Sequence, residues 1–275
     1  MGKTITTYLI HGNPQGVQYV TISNRTCKMF VIPRASLSSI KEREDLKQPA
    51  LYILLGDNEE FTPMAYIGES ENFFERIKNH DNKKGFWQKA LVFIANDKAI
   101  NKADIQYLEH LSVGLAKKAK RHSISDNKQI PKAPNLSEHQ KDTIEDFFND
   151  VKMLTSFIHC SIFEIAEQKN NHLFYMKERG CDAKGFYDET GFTVLQGSIL
   201  SKNTVPSFRE SKQRELFIKE FATLHNDKLT LESNYTFPSP SAAANFCAGC
   251  SSNGWKVWKD SQGKTLDIIY RQQLD

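Results

Sequence analysis

The sequence has no apolar run long enough to span a membrane and no basic-then-apolar start of the signal-peptide kind. Neither a membrane-embedded nor an exported protein is therefore expected, and a cytoplasmic setting follows. Met1-Gly2-Lys3-Thr4-Ile5-Thr6 fits a loose acylation pattern that arises readily by chance. Cysteine is sparse. The five residues, Cys27, Cys160, Cys181, Cys247 and Cys250, are odd in number and mostly scattered, which argues against a disulfide framework. Cys247 and Cys250 form a lone C-x-x-C, and no second pair completes the four ligands of a structural zinc site. No internal repeat or low-complexity tract is visible. A large charge excess is missing too: the net charge is only +3, which permits nucleic-acid binding without indicating it.

What is present is a chain of 275 residues, enough for one large domain or several small ones, with 39% hydrophobic and 25% charged residues, as in folded proteins. Its positive charge is unevenly placed. Lys117, Lys118, Lys120, Arg121, His122, Lys128 and Lys132 crowd into one stretch, and Lys78, Lys83, Lys84 and Lys89 into another. Such clusters are often solvated helix faces, but they also suit a phosphate-facing surface.

Residues 4–34 alternate apolar and polar positions around a turn at His11-Gly12-Asn13-Pro14 and predict a β-meander, with a charged helix over 37–48. Ala50 to Leu55 reads as a buried strand, Met64 to Gly68 as its return, residues 71–80 as a helix and Trp87 to Ala95 as a third strand. Residues 102–120 predict an amphipathic helix with Ile105, Leu108, Leu111, Leu115 and Ala119 in one stripe. Glu109 falls at the edge of that stripe, where an uncompensated carboxylate is costly, so it needs a partner. Ser137 and Gln140 form a capping box for a helix running to about Ile165. Beyond it, strands are predicted at 192–198 and, as a hairpin, at Trp255-Lys256-Val257-Trp258 and Thr265 to Tyr270. Pro240 after Ser239 predicts a helix start and a seat for phosphate.

Ala50-Leu51-Tyr52, Tyr66-Ile67-Gly68, Arg76, His80 and Glu109 follow one another in an order that resembles the GIY-YIG nucleases, which cut phosphodiester bonds with one divalent metal ion. Alanine stands where the family's first motif has glycine, and the fourteen residues from Tyr52 to Tyr66 exceed the family's usual gap. The resemblance implies that Tyr52 acts as base toward water, that Tyr66 bonds water or phosphate, that Arg76 stabilises the transition state, and that His80 passes a proton or holds Tyr52. It implies Glu109 as the ligand of Mg²⁺ or Mn²⁺ and Asn127 as the asparagine that shapes the site, with Asn101 and Asn135 as alternatives. Gly68, Lys78, Lys83, Lys84, Lys117, Lys118, Lys120, Arg121 and Asn127 are the expected nucleic-acid contacts. Taken singly, Tyr52 also suits a packed strand tyrosine, and Arg76 with His80 an ordinary helix surface. As a base, Tyr52 would need its pKa lowered.

The tail, with Gly197-Ser198, Phe237 to Ala243, and Asn253-Gly254-Trp255 with Trp258, resembles a C-terminal domain of uncharacterised function found joined to GIY-YIG cores in bacterial proteins, and also the RAMA domain. That company suggests DNA reading, and restriction, defence or DNA processing. The two tryptophans suit base stacking or a core. The expected class is α+β: an N-terminal β-rich extension (1–48), a GIY-YIG-like core of three antiparallel strands flanked by helices (49–135), a connector helix (136–169) and a separate α+β domain (170–275). DNA is the expected partner, and double-strand cutting leaves a homodimer or successive nicks open. The competing expectation is a non-catalytic nucleic-acid-binding protein on a degenerate core; a protein-interaction module on the meander is a third.

Overall fold

The computed structural model of the chain describes every residue except 1, 58–62, 82–84, 125, 126, 128, 166–171 and 273–275, and only the backbone of 79–81. The chain divides into two units, Met1–Ile165 and Ala166–Asp275. The three segments expected to precede residue 170 therefore form one unit, and the reason lies in the sheet.

The meander strands β1 (Ile5–Leu9), β2 (Gln18–Ile22) and β3 (Cys27–Pro33) do not stand apart. With β4 (Ala50–Asp57), β5 (Pro63–Ser70) and β6 (Trp87–Ala95) they build one six-stranded sheet in the order β1-β2-β3-β6-β4-β5. The expected three-stranded core is half of it. Strand β6 pairs with β3 on one side and β4 on the other, so its run of apolar residues is buried on both faces. Ala50 sits in regular register opposite Ser70, so the alanine that replaces glycine leaves the strand undistorted.

Side-chain alternation splits the core in two. One face carries Phe30, Tyr52, Leu54 and Val92 and is covered by α1 (Phe73–Asp81) through Phe73 and Ile77. Each of these two fully buried side chains contributes about 1.5–3 kcal/mol. The predicted helix over 37–48 is instead two short 3₁₀ segments, Arg34–Ile40 and Glu44–Leu46, whose Ile40 and Leu46 plug the same face. The other face carries Ile53, Ile67 and Leu91 and is covered by α2 (Lys102–Ala119) and α3 (Glu138–Phe157). The expected connector is thus a core element: Ile144, Phe147, Phe148, Val151 and Leu154 of α3 are buried against the sheet layer. Its capping box is formed as predicted, but the helix stops at Phe157 rather than near Ile165.

The second unit holds two small sheets. One runs β13 (Tyr235–Phe237), β9 (Gly191–Val194), β8 (Ala183–Asp188), β7 (Phe174–Met176). The other runs β10 (Ile199–Leu200), β12 (Lys228–Leu231), β11 (Ala222–His225), beside helix α4 (Ser211–Phe221). Helix α5 (Pro240–Ala248) starts where Pro240 and the Ser239 side-chain cap predict. The predicted Trp hairpin is a correction: residues Gly254–Val257 form helix α6 and Leu266–Tyr270 form α7. Asn253 and Thr265 cap these short helices through their side chains. Trp258 is fully buried and stacks on Phe192 at 4.3 Å, a core role, whereas the ring of Trp255 carries the Arg271 guanidinium 3.6 Å above its centroid. Among the described residues no helix is long and apolar enough to cross a membrane.

Candidate active site

Strands β4 and β5 pair so that Tyr52 lies directly across from Gly68. The glycine is required by packing. A Cβ at 68 would stand 2.5 Å from the Tyr52 hydroxyl and 2.6 Å from Cζ. Removing that atom lets the buried Tyr52 ring lie across the strand toward β5, with the Tyr66 ring 6.1 Å away and Phe73 of α1 5.7 Å away.

Helix α1 opens after a turn in which Ser70 accepts from the Asn72 backbone and Asn72 from the Glu75 backbone. One turn in, the exposed Arg76 donates through Nε to the Tyr52 hydroxyl at 3.4 Å. Its remaining guanidinium donors have no partner among the described residues. Burial, with a further push from Tyr66, raises the Tyr52 phenol well above its ordinary range, and Arg76 only partly opposes this. A base at neutral pH needs the opposite shift, so the phenol keeps its proton here.

Glu109 comes from the other face. Asn101 and Asp104 close a capping box on α2, and Lys102 at its first turn donates to both carboxylate oxygens of Glu69, at 2.9 and 2.7 Å. Lys102 and Glu109 are seven residues apart and share a helix face. The half-buried Glu109 has no hydrogen bond or ion pair among the described residues. Burial pushes its carboxyl up to about 7, the neighbouring Glu69 carboxylate pushes the same way, and Arg76 and Lys102 oppose. The charge of Arg76, on one face, is thus felt at Glu109 on the other. Strand β5 is the edge of the sheet.

Asn127 explains where that edge opens. Its side chain accepts from the Ile67 backbone N–H at 3.0 Å and donates to the Ile67 carbonyl at 2.8 Å, replacing a missing strand. Ser123 does the same for Pro63 and Ala65 through its backbone. Among the described residues this cover ends at Ile67. Asn101 is accounted for as the α2 cap, which removes it as the alternative to Asn127.

The remaining expected residues spread out. The His80 side chain, Lys83 and Lys84 lie outside the described residues. Lys78 is bridged to Glu75 at 2.7 Å and lies over the Phe74 ring. Lys117, Lys118 and Lys120 sit at the C-terminal end of α2, about 12–17 Å along the axis from Glu109, where cations complement the helix dipole. Arg121 donates from Nε to the Glu164 carbonyl at 2.8 Å, so it ties down the loop after α2. Glu69 and Lys102 were missed from sequence. The signals were the acid adjoining Gly68 and the i,i+7 spacing from Lys102 to Glu109.

A divalent cation fits the donor chemistry at Glu109. Mg²⁺ prefers oxygen ligands and is often held by one or two carboxylates with waters completing its shell. A half-buried carboxylate without a protein partner is such a donor, and Glu69 lies near enough to raise its pKa. Among the described residues no group of three or more His, Cys, Asp or Glu could hold a metal. Any metal here would rest on one or two carboxylates.

No curated protein and no solved structure matches the chain. The GIY-YIG family has no match over residues 50–127, so the likeness there rests on the residues and their geometry. Residues 174–270, nearly all of the second unit, match the family model described as "Domain of unknown function (DUF4357)".

Proposed function

We propose that the first unit hydrolyses phosphodiester bonds in DNA with the help of a divalent metal ion. The observation that carries this reading is Glu109: a half-buried carboxylate with no protein partner among the described residues, felt by Arg76, at the open end of the edge strand. The metal, when bound, supplies a lowered pKa for its water and charge neutralisation at the leaving oxygen. Glu109 would hold it, with Glu69, fixed by Lys102, as the second carboxylate available. Arg76 keeps its charge at any working pH and turns its free Nη donors to the phosphate, where negative charge builds in the transition state. Tyr52 keeps its proton and holds Arg76 by accepting from Nε. In this reading Tyr52 orients Arg76 rather than acting as base. Tyr66, beside it, lines the same place. Gly68 makes room for the Tyr52 ring, and Asn127 fixes the strand that bears Tyr66 and Gly68.

The test is incubation of circular DNA with Mg²⁺ or Mn²⁺. Wild type is expected to nick or linearise it. Glu109→Ala and Arg76→Ala should each lose about 10²–10³-fold or more, and Tyr52→Phe a smaller factor. If wild type leaves single- and double-stranded DNA and RNA intact under all these conditions, the hydrolase reading fails and salt-sensitive binding alone would remain. Equal cutting by the Glu109 variant would overturn the residue assignment.

A further inference from the structure

The second unit carries a surface that nothing above uses. Strand β7 is an edge strand of its sheet, and Tyr175 at its centre pairs with Lys184 of β8 on one side. On the other side Tyr175 exchanges two backbone hydrogen bonds with Lys259, at 2.7 and 3.0 Å. Residues directly opposite each other on neighbouring strands point their side chains to the same face. Lys184, Tyr175 and Lys259 therefore form one row across three adjoining segments, the two lysine backbones roughly 10 Å apart by strand spacing. All three side chains are exposed, and Tyr175 is one of the few large exposed hydrophobics among the described residues, at 38%. Phe174 and Met176, on either side of it, point the other way into the core.

The charge of this row is uncompensated. Neither Lys184 nor Lys259 has an ion-pair partner among the described residues. Of the acids on this face, Asp182 is bridged to Lys177 at 3.3 Å and Asp188 accepts from the Thr190 backbone and hydroxyl. Asp260, next to Lys259 in the chain, is turned inward and receives the Lys264 and Gln262 backbones and His172. An exposed ring flanked by two unpaired ammonium groups matches the repeat of a single nucleic-acid strand: phosphates on either side of a base that can stack. The lysines act as point charges on phosphate, and the ring accepts any base, so no sequence preference is implied.

We propose that the Lys184–Tyr175–Lys259 row is a binding site for single-stranded nucleic acid, with the lysines on successive phosphates and Tyr175 stacked on a base. This extends the reading of the first unit as a nuclease by giving the second unit a substrate grip, but it stands on its own residues. It also puts the ligand on the region matched to the domain of unknown function, since all three residues lie within 174–270.

The experiment is fluorescence anisotropy of a labelled oligothymidylate with the full chain in a metal chelator, where no cutting occurs, over a range of salt. Lys184→Glu with Lys259→Glu is expected to weaken binding at least about ten-fold and to reduce the salt slope by about 1.4, the value for two phosphate contacts on a single strand. Tyr175→Ala should weaken it about five-fold or more while Tyr175→Phe retains it. A duplex of the same length should bind more weakly, because its bases are not free to stack. Far-UV circular dichroism and the melting temperature of each variant confirm folding, and these surface changes should leave both unmoved. Unchanged affinity in the folded variants, or equal affinity for duplex with no effect of Tyr175→Ala, overturns the proposal. If wild type cuts DNA while these variants bind as wild type, the grip is wrong and the nuclease reading stands. If the variants lose binding and no metal supports cutting, the reverse holds.

Discussion

Arg214 in the second unit and Glu109 in the first are both charged side chains drawn out of water, and they are treated in opposite ways. Arg214, on α4 of the second unit, is fully buried, and burial lowers its pKa. Its guanidinium is nonetheless saturated on three sides: Nε donates to the Phe246 carbonyl at 2.8 Å, Nη1 to the Thr204 hydroxyl at 2.6 Å and Nη2 to the Ser201 carbonyl at 2.5 Å. It ties α4, α5 and the segment after β10 together. Glu109, on α2 of the first unit, is only half-buried, yet it has no such partner among the described residues and its carboxyl is pushed up to about 7. A buried charge with its hydrogen bonds made is a structural device. One left without them keeps its capacity for something the chain does not contain.

The comparison makes stability predictions of opposite sign. Arg214→Ala strands two carbonyls and a hydroxyl and opens a cavity, so it should destabilise the second unit by about 3–5 kcal/mol, read from tryptophan fluorescence of Trp255 and Trp258 in urea. An unchanged midpoint would mean that the three acceptors are satisfied otherwise and would end the contrast. Asn127→Ala removes both bonds that close the β5 edge at Ile67 and should cost about 1–3 kcal/mol, with faster amide exchange at Ile67 as the local sign. Gly68→Ala forces the Tyr52 ring away from its seat and should cost about 1–3 kcal/mol, together with much of any cleavage activity.

Glu109→Gln gives the smallest effect and the sharpest. The folded-state pKa of Glu109 is raised, from 4.5 to about 7, so the folded chain binds its proton more tightly than the unfolded chain does. The stability tied to that proton is fully present below about pH 4.5 and is lost as pH rises through about 7. Glutamine is neutral throughout. The variant should therefore melt with wild type near pH 4 and be more stable by about 1–2 kcal/mol at pH 8. Mg²⁺ should narrow the gap at pH 8 by stabilising wild type alone. A variant less stable than wild type at pH 8 without metal would show that Glu109 has a protein partner after all.

The two halves also differ in how much could be read without coordinates. In the first unit the strands of 50–95, the α2 helix and both halves of the Tyr52–Tyr66–Gly68–Arg76–Glu109 series were legible, because each rests on local periodicity or on a motif. Glu69, Lys102 and the edge-closing role of Asn127 were not, since they depend on which strand ends the sheet. In the second unit Thr265 to Tyr270 reads as a strand from its isoleucines, but the Thr265 cap makes it a helix. Trp255 lies in a helix of only four residues and Trp258 is the extended residue that ends it, too short a segment to show a helical period. The Lys184–Tyr175–Lys259 row was equally invisible, as its members are far apart in the chain and meet only through register.

What the sequence determined by itself was therefore local: the apolar strands, the caps at Ser137 and Ser239, the glycine at 68 and the presence of a carboxylate at the margin of an apolar helix stripe. Only the tertiary structure decided that the meander joins the core sheet, that α3 covers it rather than leading away, and that β5 is left as the edge. Those choices depend on pairing between distant segments, which carries no local signature. They are also what leaves Glu109 half-buried, without a partner among the described residues and within the field of Arg76.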